Sequence, residues 1–166
     1  MTVRIHDTPK LAELLQVCSE APRDERKQYA AFTGEAFDAD RVAARLAASL
    51  LTMPTWPAWV ITADGTPIVA AGFSQLRPGV WQDWMVSTPA AWDTHWRAVT
   101  RLARKVMDSM LRGDAHRLQC VALASRTKAH RWYRALGLAP EGVLYGYGVR
   151  GEDAVMYART RPYHAG

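Results

Sequence analysis

The stretch Gln119–Leu138, QCVALASRTKAHRWYRALGL, decides the fold of this chain. Its first part, Cys120–Ala124, is an apolar run of the length of a buried strand. A short connection leads to a basic, amphipathic segment that ends in Leu136-Gly137-Leu138, and glycine is a common residue at the end of a helix. The stretch therefore predicts a buried strand followed by a helix.

Patterns on both sides extend this order. Trp92–Met110 has apolar residues at steps of four and three, which predicts a long helix. Ala63-Asp64-Gly65-Thr66 lies between two apolar runs and predicts a β-hairpin. The complete predicted order is strand, two helices, three strands, helix, strand, helix and two strands. We expect a loop or helix break at Ala21–Lys27 and a last hairpin that pairs Val143–Tyr147 with Ala154–Tyr157.

The length of 166 residues and the hydrophobic content of 49% predict a single domain, residues 1–160, followed by a flexible tail, residues 161–166. Cys18 and Cys120 lie in apolar patterns, so we expect buried free thiols in a reducing compartment. No Cys/His cluster has the spacing of a metal site. The first ten residues lack the apolar region of a signal peptide, and no apolar run approaches the about 20 residues of a membrane span. We expect a soluble protein inside the cell.

The motif Ala129-x-x-x-Tyr133-x-x-x-Gly137-Leu138 resembles the late motif of the GNAT acyltransferases. The predicted order of strands and helices also resembles that family over nearly the whole chain. The resemblance implies an α/β (α+β) fold with a central mixed, mostly antiparallel sheet of about seven strands, flanked by about four helices. It also implies that Tyr133 lies near the acyl-CoA sulfur, where it would act as general acid.

In GNAT enzymes the pyrophosphate of acetyl-CoA binds a glycine-rich turn before the long helix, on free backbone N–H groups. The resemblance places the cofactor contacts at Val86, Thr88, Trp92, Arg126 and Ala129. Here the turn has no glycine: Pro89 lacks an N–H, Trp92 is bulky, and Asp93 is predicted to cap the long helix and to repel a phosphate. These departures argue against ordinary CoA binding. We therefore expect no cofactor, and acetyl-CoA if the protein is active.

Two residues have a catalytic and a structural interpretation. Tyr133 is either a general acid or a packing residue of its helix, and the altered turn favours packing. Asp83, between Trp81 and Trp84 on a predicted strand, is either a general base for an amine or an outward-facing strand residue.

A closer resemblance links the aromatic segment Trp84–Thr88, Trp92 and the basic helix after them to GNAT-like proteins of tailed bacteriophages, including the internal virion protein of short-tailed phages. It implies a virion-associated or assembly component, made in the host cytoplasm, with a phage structural protein or a host protein as partner. The formal charge of +5 also fits nucleic acid, or simply a basic surface. The predicted partner-binding residues are Arg97, Arg101, Arg104, Lys105, Arg131 and Arg134. The alternative function is a divergent N-acetyltransferase that acts on an amine of a small molecule or protein.

Overall fold

A computed structural model describes residues 2–161. The predicted tail lies outside the described residues, apart from Arg161. The strands are β1 (Val3–Asp7), β2 (Ala58–Ala63), β3 (Thr66–Arg77), β4 (Val80–Ser87), β5 (Arg117–Leu123), β6 (Ala139–Leu144) and β7 (Ala154–Thr160). The helices are α1 (Leu11–Ser19), α2 (Arg23–Thr33), α3 (Ala39–Thr52), α4 (Pro89–Asp93), α5 (Trp96–Arg112) and α6 (Thr127–Ala135).

The seven strands form one sheet in the order β1-β2-β3-β4-β5-β7-β6. Only the central pair, β4 and β5, is parallel, and every other neighbouring pair is antiparallel. The predicted mixed, mostly antiparallel sheet is therefore confirmed.

The β2–β3 hairpin follows from its two turn residues. Asp64 and Gly65 both have positive φ, 48° and 86°, which is the backbone of a type I′ turn. Gly65 adopts this conformation without steric cost, and the twist of such a turn matches that of the strands it joins. Ala63 consequently pairs with Thr66 across the turn.

Helices cover both faces of the sheet. One core contains Leu14 and Val17 of α1 with Val42 of α3, packed against β2, β3 and β4. The other core contains Val99 and Met107 of α5 with residues of α6 and of β2, β3, β5 and β7. Each fully buried Leu, Val or Met side chain contributes roughly 1.5–3 kcal/mol, so both helical layers stabilise the sheet.

The expected helix break is present between α1 and α2, at residues 20–22, but the remainder of the predicted loop at Ala21–Lys27 is helical, because α2 begins at Arg23. Pro22 occupies the N-cap position, where a missing N–H costs nothing, and Asp24 and Glu25 favour the positive end of the helix dipole. Together with the short α4, this raises the number of helices to six where about four were expected.

Asp93 does not cap the long helix as predicted. Pro89 stands in the first turn of α4, a favoured position for proline, so a helix already begins there and Asp93 is its last residue. The N–H groups of Thr94 and His95 both bond to Ala90 O. The helix α5 begins anew after His95, whose side chain accepts no hydrogen bond from the first turn of that helix.

The last hairpin is shifted from its predicted position. β6 begins at Ala139 and ends at Leu144, so Tyr145 and Tyr147 lie in the loop that connects it to β7. This loop is closed by the Asp153 carboxylate, which accepts a hydrogen bond of 2.9 Å from the N–H of Gly146. Gly146 has φ 62°, a conformation that does not continue a strand.

Candidate functional site

The central strands β4 and β5 separate partway along their length. They pair from Val80 to Gln82 and from Arg117 to Gln119. Beyond these residues no ladder joins them, although β4 continues to Ser87 and β5 to Leu123. The separation leaves a cleft in the centre of the sheet.

The cleft has a volume of about 510 Å³ and a mixed lining. Aromatic side chains of α2 and its following loop form one wall, Tyr29, Phe32 and Phe37. The strand β4 contributes Asp83 and Trp84, and the other polar side chains of the lining include Glu25, Arg126 and Tyr133. A space of this size and composition is that of a small-molecule site.

Asp83 lies on the face of β4 that is covered by α5 and α6. It shares its strand face with Trp81 and Met85, which pack against the α5–α6 core, so the prediction of an outward-facing residue is wrong. Gln82 Nε2 donates to Asp83 Oδ1 at 3.0 Å. Burial raises the pKa of Asp83 from 3.8 to about 7, against the opposing effects of the Gln82 hydrogen bond and the positive charge of Arg126. A carboxyl group with this pKa can accept a proton near neutral pH.

Tyr133 lines the same cleft from α6 and is 5% exposed. Its ring packs against Trp132 at 5.9 Å and Tyr157 at 5.4 Å. Burial, with the nearby negative charge of Asp83, raises its pKa well above 10, so its hydroxyl group stays protonated. The tyrosine of the motif Ala129-x-x-x-Tyr133 therefore packs in the core and also lines the cleft.

Glu25 was missed by the sequence analysis and holds one end of the cleft. Its carboxylate accepts a hydrogen bond of 2.9 Å from the backbone N–H of Ser87 and a second, short one from the Ser87 hydroxyl. Arg126 Nη2 lies 3.9 Å from Glu25 Oε1, and Arg126 Nε donates to Asp24 at 3.2 Å. Burial raises the pKa of Glu25, and the two Ser87 hydrogen bonds and Arg126 oppose that rise. The sequence offered one indication of this residue, the acidic pair Asp24-Glu25 shortly after Pro22.

The backbone N–H groups between β4 and α5 are largely occupied. Ser87 N–H bonds to Glu25, and Thr88 N–H bonds to Ile68 O on β3 at 2.9 Å. Pro89 has none, and the N–H groups of Ala91, Thr94 and His95 close turns within this segment. A phosphate needs free N–H groups at such a turn. The segment from Ser87 to His95 therefore offers few free N–H groups to a phosphate, whereas within the described residues the N–H groups of Trp96, Arg97 and Ala98, in the first turn of α5, bond to no backbone acceptor.

The other predicted cofactor contacts divide into two groups. Val86 and Arg126 line the cleft together with Asp83 and Tyr133. Trp92 turns inward, where its Nε1 donates to Ser87 Oγ at 2.7 Å and its ring meets Trp132 edge to face at 5.0 Å. Ala129 is partly buried and packs against the α5–α6 core. Thr88 is 1% exposed, with its hydroxyl buried and unpaired among the described residues.

The predicted partner-binding residues lie on the outward surfaces of α5 and α6. They are exposed, and Arg112 and Lys128 join them on the same two helices. We name this set the basic face: Arg97, Arg101, Arg104, Lys105, Arg112, Lys128, Arg131 and Arg134. Within residues 2–161, none of its members forms an ion pair.

The described part of the chain contains no group of side chains that could hold a metal ion. Cys18 and Cys120 are free and buried, as predicted. Over the same residues, no helix combines the length and the apolar character needed to cross a membrane.

Comparison with solved structures identifies the fold. The structure of yncA from Salmonella typhimurium, with acetyl-CoA as its cofactor, matches with a TM-score of 0.74 at 16% identity and covers 100% of this chain and 98% of its own. The chain has the GNAT fold. An acetyltransferase of the GNAT family from Bacillus anthracis matches with a TM-score of 0.75 at 11% identity and covers 98% of this chain and 97% of its own.

A third GNAT-fold structure is RimL, a ribosomal L7/L12 α-N-protein acetyltransferase in complex with coenzyme A. It has a TM-score of 0.76 at 12% identity and covers 96% of this chain and 94% of its own. No protein-family model matches the sequence, and no curated protein matches it. At these identities the likeness establishes the GNAT fold alone, and the cofactors belong to the proteins that contain them.

Proposed function

We propose that this chain is a GNAT-fold bacteriophage protein, a virion-associated or assembly component with a degenerate acetyl-CoA site. It is synthesised in the host cytoplasm and binds a phage structural protein or a host protein. One observation carries the loss of the cofactor: the Glu25 carboxylate accepts a hydrogen bond from the N–H of Ser87, at the start of the turn where GNAT enzymes bind pyrophosphate.

A carboxylate at this place opposes a phosphate in two ways. It uses a backbone donor that an anion would need, and its negative charge would repel the anion in a setting with little water. Glu25 is 8% exposed and is tied to Ser87 by two hydrogen bonds, so the contact is part of the core. The occupied N–H groups that follow Ser87 support the same conclusion.

The bacteriophage assignment draws on the sequence pattern. The tryptophans of β4 and α4, followed by a basic helix, resemble GNAT-like virion proteins of tailed phages. In the structure Trp92 fills the turn by contact with Trp132 and Ser87, which is a packing role. A fold whose turn is filled in this way keeps its core and can interact with partners through its surface.

Calorimetric titration with acetyl-CoA and with CoA tests the loss of the cofactor, with thermal unfolding as a second measurement. We expect no binding heat and no change in Tm at 1 mM ligand. A ligand at a hundred times its Kd would add about 2.7 kcal/mol and raise the Tm by several degrees. Such a rise, or saturable heat, would refute the degenerate site.

A separate experiment tests the virion role. Purified virions and assembly intermediates of the phage that encodes the chain should contain it at a fixed number of copies. A phage with the gene deleted should assemble defective particles. Absence of the protein from both kinds of particle would exclude the virion role, whatever the titration gives.

The second candidate function is N-acetyl transfer to an amine of a small molecule or protein. It is favoured by the presence of Asp83 and Tyr133 in one cleft. Asp83, with a pKa of about 7, could accept the amine proton, and the protonated hydroxyl of Tyr133 could donate one. Asp83→Asn and Tyr133→Phe would then each reduce turnover while the protein stays folded at pH 7. Absence of any turnover in the wild type with a panel of amines would exclude this candidate.

A further inference from the structure

We propose that the basic face binds the phosphate backbone of a nucleic acid without reading its base sequence. The inference concerns a surface away from the cleft. It does not depend on the state of the cofactor site or on the proposed virion role.

The charge of the protein is concentrated on this surface. The basic face holds eight of the 21 Lys and Arg residues. The remaining 13, set against 16 acidic residues, give the rest of the chain a formal charge of −3. The net charge of +5 therefore does not describe a uniformly basic protein, because all of its excess lies on two helices.

The cations of α5 lie on one side of the helix. At 100° per residue, the five cations Arg97, Arg101, Arg104, Lys105 and Arg112 fall within an arc of about 100°. With a rise of 1.5 Å per residue, they span about 22 Å of the helix. They lie opposite the buried side of the helix, which carries Val99, Ala103 and Met107 among others. Asp108 falls within the same arc but pairs with Arg159 of β7, so the five cations remain in excess on this side of the helix.

The helix α6 adds a second group on the same side of the sheet. Its Trp132 Nε1 donates to Thr100 Oγ1 of α5 at 2.9 Å, which fixes the two helices beside one another. The exposed cations of α6 are Lys128, Arg131 and Arg134. The helix α6 contains no acidic residue. The basic face thus comprises cations of two helices that cover the same side of the sheet.

These charges are available to an external anion. Asp108, the acidic residue of α5, bonds to Arg159 of β7. Two arginines of the basic face contact neutral aromatic rings. The Arg97 guanidinium lies 5.3 Å from the centre of the Trp96 ring, and the Arg134 guanidinium lies 5.8 Å from the centre of the Tyr157 ring. A cation–π contact orients a guanidinium and leaves its positive charge uncompensated.

The composition of the surface favours nucleic acid over an acidic protein. Protein interfaces have a core of apolar and aromatic anchors. Among the described residues of α5 and α6, the exposed large apolar side chain is Trp96, which is 45% exposed. Phosphates need only cations and hydrogen-bond donors. Four arginines and one lysine over about 22 Å of α5 suit a regularly charged strand. The exposed Trp96 ring, at the start of the same helix, offers a surface for stacking a base.

The test is fluorescence anisotropy with a labelled 24-base-pair DNA duplex, a 24-nucleotide single strand and an RNA duplex, from 50 to 200 mM salt. Each phosphate contact contributes about 0.9 to the slope of log K against log salt for duplex DNA. With about six contacts, affinity for duplex DNA should fall about a thousandfold over this range. The three probes show which nucleic acid is preferred.

Matched charge-reversal variants separate the basic face from net charge. The double variant Arg101→Glu/Arg104→Glu should bind at least about tenfold more weakly at 100 mM salt and show a smaller salt slope. The control Lys27→Glu/Arg41→Glu changes the net charge equally on exposed residues of α2 and α3 and should bind like the wild type. Circular dichroism and urea unfolding establish that both variants fold.

Three outcomes would overturn the inference. They are no binding to any probe at 50 mM salt, an equal loss of binding in the two double variants, and tighter binding to poly-glutamate than to all three nucleic acids at the same salt. The last outcome would assign the surface to an acidic protein. Acetyl-CoA binding, measured separately, would leave the inference unchanged.

Discussion

The carboxylate of Glu25 accepts hydrogen bonds from both the backbone N–H and the hydroxyl of Ser87, 62 residues further along the chain. The contact joins the first turn of α2 to the end of β4. Since Trp92 Nε1 donates to the same Ser87 oxygen, the short helix α4 is also held by it. A buried carboxylate thereby fixes the turn that would bind a phosphate in a GNAT cofactor site.

We predict that Glu25→Ala lowers the free energy of unfolding by about 1–3 kcal/mol, because it leaves the buried N–H of Ser87 without an acceptor. Glu25→Gln keeps an acceptor and removes a charge whose burial is costly, so it should cost less than Glu25→Ala. Urea unfolding monitored by circular dichroism measures both changes.

Asp24→Ala is the control for Glu25. Asp24 is the preceding residue of α2 and also contacts Arg126, but its side chain is 53% exposed, so its removal should cost less than about 1 kcal/mol. If Asp24→Ala proved as destabilising as Glu25→Ala, the Ser87 contact would not be the stabilising one.

Asp83 should make stability depend on pH. Its pKa in the folded protein is about 7, above the ordinary 3.8, so the folded state binds more protons than the unfolded state between these values. Its contribution to stability is therefore complete below pH 4 and is lost as pH rises through 7. Relative to Asp83→Asn, the wild type should lose about 2–4 kcal/mol of unfolding free energy between pH 4 and pH 8.

The measurement is the difference in unfolding free energy between the two proteins at each pH, which cancels the other titrating groups. Asp93→Asn, at an exposed position, should not reproduce the trend. A difference that is constant from pH 4 to pH 8 would mean that Asp83 is not buried in the solution structure.

Much of the fold follows from local patterns. The Asp64-Gly65 turn and the apolar stripe of α5 are signals contained within a few residues, and the structure has the predicted hairpin and long helix. The helix α2 was missed because Pro22 and a run of charges also occur in loops, and only its packing against the sheet separates the two cases.

The site depends on contacts that short-range patterns do not contain. The sequence gives the residue types Glu25 and Ser87 but not their pairing, which arises only when the sheet has formed. The side of β4 to which Asp83 points depends on which face each helix covers. The motif around Tyr133, by contrast, combines a strand, a helix and a glycine in one short stretch, and this is why it predicts the fold.

Gly72 lies where β3 passes closest to its neighbours. A Cβ there would be 2.7 Å from Pro57 O and 2.7 Å from the Trp84 ring. We predict that Gly72→Ala destabilises the protein by about 1–3 kcal/mol, because backbone and a packed ring must both shift. In the control Gly142→Ala, on the edge strand β6, the added carbon has open space, so the change in unfolding free energy should stay within about 1 kcal/mol. Equal effects of the two substitutions in urea unfolding would contradict the close packing at Gly72.

The edge-to-face pair Trp92–Trp132 should show measurable coupling. The ring centres lie 5.0 Å apart at an interplanar angle of 80°, and such pairs contribute about 0.5–1.5 kcal/mol beyond their buried area. A double-mutant cycle with Trp92→Leu and Trp132→Leu, measured by urea unfolding, should return a coupling of this size. A cycle that combines the exposed Trp96→Leu with Trp132→Leu should be nearly additive. Additivity in both cycles would show that Trp92 does not hold the turn through Trp132.

Tyr133 distinguishes the packing role from the catalytic one. Tyr133→Phe keeps the ring contacts with Trp132 and Tyr157 and should cost less than about 1 kcal/mol, whereas Tyr133→Ala leaves a cavity and should cost about 3–5 kcal/mol. If packing is the whole role, Tyr133→Phe should also retain every partner interaction of the wild type in pull-down experiments. If the wild type transfers acetyl groups and Tyr133→Phe loses this activity while keeping wild-type stability, the Tyr133 hydroxyl group acts as a general acid.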